Sequence, residues 1–456
     1  MADEVVTNGI NGGTGNYLLQ FADVAPGAAR DRDAEAAFLH RQRNRDVAGP
    51  KFGVDPDNLA SAGWGIVFPA GDPSTHAKVK DALRPLLALR ECEAGPLFRI
   101  YEGDAGIRPG EDKRGFLKRH GVSFVPADPA VMPYYLLLAG GAEEISFALQ
   151  AQLDLQRCVG RLTFSSPDDY RHYAEAVCAS QKAAPFAERR MTLFGPKNSD
   201  DAATRMSCDE LLAPLGDAVQ RFKDWQVETI LADKATKVAL STLLKRRPDL
   251  LFTASHGLAF DLDDPRQVGH QGALLCHDWP GPKRHHGQIP TDFYFRGDDL
   301  AAAADLTGMI AILFACYSLA TPQFDEFAEN PAVRTMIAPT PMISELPRRL
   351  LAQGTVAVIG HVDRAWSYSF HDPLVGPQIG IFDDLVARLA NGERVGSAMK
   401  GMNERHAELA ATLAQLKEDE PLMDPSERAQ IRSIRVALND ARNYSVLGDP
   451  AVRVAQ

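Results

Sequence analysis

The chain has 456 residues, of which 45% are hydrophobic and 24% charged, an ordinary globular composition that excludes wholesale disorder and a fibrous repeat. At roughly 150 residues per domain there is room for about three domains, or two larger ones with extensions. Lys+Arg 49 against Asp+Glu 60 leaves a net charge of −11, which argues against a nucleic-acid partner or an anionic membrane surface.

Residues 1–20, MADEVVTNGINGGTGNYLLQ, are acidic where an export signal needs a basic start, and they lack its apolar segment. The longest apolar runs, near 134–141 and 309–316, fall well short of the ~20 residues of a membrane span and read as buried strands. The 6 cysteines are scattered without CxxC pairing, so neither a disulfide framework nor a structural zinc site is expected, and the thiols are read as reduced in a cytoplasmic protein.

Residues 1–58 read as a peripheral extension: a Gly/Asn-rich start, a charge-dense run over 28–46 (AARDRDAEAAFLHRQRNRD) and a Gly/Pro-containing connection. The plain reading of the charge run is a solvated arm, and the alternative is a regulatory segment. Gly9, Gly12, Gly13 and Gly15 do not make a nucleotide loop, because no strand precedes them and no Lys-Ser/Thr follows. From Trp64 onward short apolar runs alternate with helical patterns. Strands are expected at 65–68, 97–101, 134–138, 159–164 and 191–194, then at 229–231, 250–254, 309–314, 355–359 and 444–447. Helices are expected at 75–90, 143–155, 168–181, 236–246, 343–351 and 381–389, with a long helical region over 395–443. The pattern predicts an α/β fold, a mostly parallel sheet flanked by helices, in two successive α/β units spanning 59–225 and 226–456.

Two segments carry chemistry. In 249–257, DLLFTASHG, an apolar strand ends in His256-Gly257; in 309–318, MIAILFACYS, a longer one ends in Ala315-Cys316. Reacting groups in an open parallel sheet collect outside the carboxyl ends of the strands, which puts both side chains on one edge. An imidazole there can convert the thiol to thiolate and later protonate a leaving amine. Gly257 leaves its backbone N–H open to a substrate. A lone buried Cys is most often an apolar filler, and a lone His-Gly most often a turn; the paired placement is far more specific.

These blocks resemble those of the clan CD cysteine peptidases, the group of caspases, gingipains and CHAT domains. Residues 231–257 (LADKATKVALSTLLKRRPDLLFTASHG) are similar to the CHAT entry sequence, while 315–324 (ACYSLATPQF), 354–363 (GTVAVIGHVD) and 444–452 (YSVLGDPAV) resemble gingipain-type blocks. Upstream, 134–144 (YYLLLAGGAEE) and 159–161 (VGR) are similar to the gingipain subdomain before the catalytic one. The resemblance runs from about residue 60 onward and implies a caspase/gingipain-like fold, with a non-catalytic subdomain at 59–225 and a catalytic one at 226–456. It makes Cys316 the nucleophile, His256 the general acid/base, and the N–H groups of Gly257 and Cys316 the oxyanion donors, with no cofactor. A third catalytic residue is not identifiable.

The resemblance also places 360–366 beside the primary specificity pocket, so that His361, Asp363 and Trp366 are expected near the substrate side chain. A carboxylate at Asp363 and the face of Trp366 predict a preference for Arg or Lys. Asp261, Asp263 or Asp264 could supply the acid instead, and the plain alternative pairs Asp363 with Arg364, Arg348 or Arg349. Unlike secreted gingipains, the sequence shows no signal and no trailing immunoglobulin-like domain, so the expectation is an intracellular, regulated endopeptidase that cuts a specific protein partner. CHAT-like habit implies a place in bacterial defence, with a gasdermin-like or other effector as substrate and an activating protein partner. Two alternatives stand beside it. One is a catalytically silent caspase-like scaffold; the other is a zinc hydrolase using His270, Cys276, His277, Asp278, His285 and His286 in the loop 269–287, whose spacing fits no recognised zinc pattern and whose plain reading is a solvated or covering loop.

Overall fold

The computed structural model describes residues 5–18, 49–122, 126–182, 188–301, 304–327, 334–373, 375–419 and 425–454. Its framework is a ten-stranded sheet: β1 Trp64–Val67, β2 Phe98–Tyr101, β3 Tyr135–Ala139, β4 Cys158–Leu162, β5 Arg189–Gly195, β6 Trp225–Leu231, β7 Leu250–Ala254, β8 Ile310–Phe314, β9 Ala357–His361 and β10 Tyr444–Gly448. The order is β2-β1-β3-β4-β10-β9-β8-β7-β5-β6. Every neighbouring pair is parallel except β9 with β10. These are the strands expected from the apolar runs.

Strands such as YLLLA of β3 and IAILF of β8 are buried at every position, the signature of a parallel sheet covered on both faces. Alternate residues of β3 show the two layers. Tyr135, Leu137 and Ala139 join a core with Leu86 of the helix Arg84–Ala94 and with Tyr173 and Val177 of the helix Pro167–Lys182. Leu136 and Leu138 face Phe116 and Leu117 of Lys113–Arg119 and Leu149 and Leu153 of Phe147–Asp154. The helix expected over 75–90 breaks at Leu83, with Pro85 opening the second piece, where a missing N–H costs nothing. The region 395–443 is three helices, Val395–Ala398, Lys400–Asp419 and Pro425–Arg442. Among the described residues no helix is long and apolar enough to cross a membrane.

The sheet continues across the division expected near 225, and β5, assigned to the first unit, pairs with β6 and β7 of the second. Strands β1–β4 and β10 run one way and β5–β9 the other, so the change of direction falls between β4 and β5. Residues 5–18, at the start of the expected extension, pack into the fold. Gly9–Asn11 forms a strand parallel to Gly257–Ala259, in a small sheet with Leu274–Leu275 and Tyr294–Phe295. The charge-dense run 28–46 lies outside the described residues.

Candidate active site

Strands β7 and β8 pair in parallel with Ala254 opposite Phe314, so two further residues bring His256 and Cys316 to matching positions beyond one sheet edge. The two turns touch: a Cβ on Gly257 would stand 1.8 Å from the Cys316 carbonyl oxygen, which only glycine allows. Just after the cysteine, Tyr317 is held at φ +55, a left-handed conformation costly for an aromatic residue. Its N–H donates to the Asp363 carbonyl (2.8 Å) and its own carbonyl accepts from Ser344 Oγ (2.6 Å), so neighbouring chain fixes the turn that carries the thiol.

His256 is fully buried, and its Nε2 lies 2.9 Å from Asp201 Oδ2, also buried. With Nε2–H given to the carboxylate, Nδ1 is the basic nitrogen, and it has no hydrogen-bond partner among the described residues. Burial pushes the Asp201 carboxyl up, but the His256 imidazole and hydrogen bonds from His256, Thr204 and Tyr17 outweigh it and hold the group at about 2. Asp201 is the N-cap of the helix Ala202–Met206, beyond the end of β5. Sequence reasoning missed it. The available signal was a strand-end acid capping a helix, the same-edge rule applied to one more strand.

Cys316 has no exposed surface. Its Sγ accepts from the Ala365 N–H (3.2 Å) and lies 3.2 Å from the Thr7 hydroxyl. Burial pushes the thiol up to about 12, against the Thr7 hydroxyl and the Ala365 N–H, which pull it down. Thr7 belongs to the segment 5–18, which passes beside both turns and covers them. The carbonyl oxygen of Asn8 accepts from the N–H of Gly257 (2.9 Å) and of Cys316 (3.1 Å), so the two donors implied by the resemblance converge on one oxygen beside the thiol. Tyr17, returning from the turn after Asn11, sets its ring edge-on to His256 and donates from its hydroxyl to Asp201 Oδ1 (2.5 Å).

The residues expected around a specificity pocket are dispersed. The His361 ring packs on Tyr444 and its Nε2 meets the Asp440 carbonyl (2.9 Å), so it braces β9 against β10. Trp366 packs its ring with Val5 and Phe327, while its backbone bridges Thr7. Asp363 is buried beside Arg364: its Oδ1 accepts the Arg364 N–H (2.7 Å), and the guanidinium stands 3.7 Å away while pairing with Asp325. Burial pushes the Asp363 carboxyl up, with Arg364 opposing. That carboxyl thus lies beside the Arg364 guanidinium, the alternative partner read from the sequence, and its Oδ2 has no hydrogen-bond partner among the described residues. Asp261 is exposed and accepts from Asn11 Nδ2 (2.9 Å), and Asp264 pairs with Arg266.

The loop 269–287 does not gather its metal-ligand types. His270 bonds the Tyr294 hydroxyl, Cys276 points to the Leu274 carbonyl and His285 to the Gln288 carbonyl. Among the described residues no three His, Cys, Asp or Glu side chains converge.

The chain is similar in fold to gingipain R. The structure of that Arg-specific cysteine proteinase superposes with a TM-score of 0.49 and 13% identity, over 87% of this chain and 78% of the other. The complex of Porphyromonas gingivalis RgpB pro- and mature domains gives 0.48 and 12%, over 86% and 79%. The Saccharomyces cerevisiae separase–securin complex gives 0.33 and 10%, over 74% of this chain and 16% of that one. No protein-family model matches the sequence, and no curated protein matches it.

Proposed function

We propose that this chain is a cysteine endopeptidase in which Cys316 is the nucleophile, His256 the general acid/base and Asp201 the residue that orients the imidazole. The observation that carries the reading is the convergence of the Gly257 and Cys316 N–H groups on one carbonyl oxygen at 2.9 and 3.1 Å, with the Cys316 thiol beside it. Acyl transfer needs that arrangement, because negative charge develops on this oxygen as sulfur attacks, and each aimed donor is worth about 3 kcal/mol. His256 Nδ1 takes the thiol proton and returns it to the leaving amine. Asp201 fixes the tautomer and opposes the imidazolium that forms. Water then resolves the Cys316 thioester. A protein substrate, an intracellular setting and a role in defence belong to this proposal through the family resemblance.

The test is modification by iodoacetamide followed by peptide mapping. Inactivation should track alkylation of Cys316, Cys316→Ala should abolish hydrolysis with the melting temperature retained, and a zinc chelator should change nothing. A fully active Cys316→Ala protein rejects the assignment, and loss on chelation restored by zinc moves the chemistry to the loop 269–287. A folded wild-type protein that never turns over peptide is the scaffold.

A further inference from the structure

Resting on the peptidase reading, we infer that the segment 5–11 is the enzyme's own first substrate, cut between Asn8 and Gly9, and that the site selects an Asn-Gly bond. On the acyl side the segment adds to the protein as an extended strand: the Asn8 N–H donates to the Ala365 carbonyl (2.9 Å), Thr7 bridges Trp366 antiparallel, and the Ser367 N–H donates to the Val6 carbonyl (3.0 Å). Main-chain pairing of this kind is how a groove holds a peptide of general sequence in register. On the leaving side Gly9–Asn11 pairs with Gly257–Ala259, and Ile10 is buried with Leu258, Phe260 and Trp279. The chain is therefore gripped on both sides of one peptide bond, and the carbonyl of that bond sits in the donor pair.

The two residues flanking the bond are specified by contact. Asn8 is wholly buried; its Nδ2 donates to the Ser255 carbonyl (3.4 Å), and its Oδ1 has no partner among the described residues. An aspartate here would set a carboxylate oxygen against that carbonyl and bury a charge. At Gly9 a Cβ would come within 2.5 Å of Leu18 Cδ1 and 2.7 Å of Cys316 Sγ, so any side chain would have to displace the sulfur. In the cleavage step the Cys316 proton passes to His256 Nδ1 and sulfur bonds to the Asn8 carbonyl carbon. The bond to the Gly9 nitrogen breaks, and that nitrogen takes the proton. Water then hydrolyses the thioester to the Asn8 carboxylate and the free thiol. Until the cut, the segment fills the groove another protein would need.

The experiment follows the intact mass of the full chain with time for wild type, Cys316→Ala and Asn8→Asp, beside turnover of quenched peptides spanning Val-Val-Thr-Asn-Gly-Ile and the versions with Asp or Arg in place of Asn. Wild type should lose the peptide ending at Asn8 and leave a chain beginning at Gly9, while Cys316→Ala stays whole. Asn8→Asp should slow the cut by at least about a hundredfold, and the Asn peptide should outrun the other two by a similar factor. Cleavage at the same bond in Cys316→Ala would mean spontaneous Asn-Gly breakdown and overturn the inference. A wild-type chain that stays whole while Cys316 turns over peptides with no preference for Asn also overturns it, and leaves the peptidase reading standing. Absence of any peptide turnover, with Cys316 unreactive to iodoacetamide in wild type and in Asn8→Asp, defeats the peptidase reading itself.

Discussion

In the half of the sheet built from β5 to β9, strand ends bring a thiol and an imidazole to one sheet edge; in the half built from β1 to β4 and β10, the motifs at and near the strand ends are held by fixed partners of the fold. The second half-sheet has motifs just as legible. Gly160 of β4 lies so close to β10 that a Cβ would stand 2.1 Å from the Gly448 carbonyl oxygen. The neighbouring Arg161 is buried, with Nε on Gln150 Oε1 (2.8 Å) and Nη2 on the Ile145 carbonyl (2.6 Å). Asp449, in the Leu-Gly-Asp-Pro block, accepts from Trp64 Nε1 (2.9 Å), Arg90 Nε (2.7 Å) and the Ala451 N–H (3.0 Å). A block resembling a known family thus marks either a candidate reacting group or a joint within the second half-sheet, and partner geometry tells which. At the joint every named polar contact ends on another fixed group, whereas His256 Nδ1 has no hydrogen-bond partner among the described residues.

The comparison breaks most visibly if His256→Ala keeps its activity. Loss of the proposed proton carrier should lower kcat/KM by about ten-thousandfold, read on a quenched peptide. A loss under about tenfold would return His256 to the role of a buried turn residue. Asp449→Ala probes the other half, because it leaves the Arg90 guanidinium, with no exposed surface, short of its buried partner. The expected cost is about 3–5 kcal/mol in chemical denaturation, with the alkylation rate of Cys316 unchanged in the folded protein. Unaltered stability with a changed thiol would reverse the assignment of the two halves.

Asp201→Asn gives the smallest effect and sharpens the boundary, since Asp201 serves both stability and site. The wrong imidazole tautomer should slow turnover about a hundredfold. The folded protein holds this carboxyl at about 2, below its ordinary 3.8, so the native state favours the charged form. That contribution, about 2 kcal/mol, is fully present above about pH 4 and is lost as pH falls toward about 2. The melting temperature of wild type should therefore fall across that acid window by more than that of Asp201→Asn, and parallel curves would refute the coupling.

The strands, and the placement of His256 and Cys316 beyond one sheet edge, were legible because each rests on local pattern. Buried runs such as IAILF announce a covered strand, and a reacting residue just past such a run lands on the sheet edge. What was illegible depends on distant contact. The reversal of direction comes from β10 returning to lie between β4 and β9, which no residue in β10 encodes. Asp201 meets His256 across 55 positions, and its neighbour Asp200 makes the pair look like a polar turn. The glycine-rich start reads as a loose tail, yet its glycines mark close approaches: a Cβ on Gly12 would stand 2.3 Å from Phe260 Cε1, and Gly15 holds φ +75. Of the two readings the sequence left open for Asp363, a substrate cation or Arg364, the structure places Arg364 beside the carboxylate, with the guanidinium 3.7 Å away.

Mass spectrometry of an acid-quenched reaction with the Val-Val-Thr-Asn-Gly-Ile peptide tests the central claim most directly. A thioester-linked acyl group should appear on the tryptic fragment containing Cys316 in the wild-type protein, together with turnover, and both should vanish in Cys316→Ala. Sustained turnover with no acyl group on Cys316, or equal turnover by Cys316→Ala, would contradict the account.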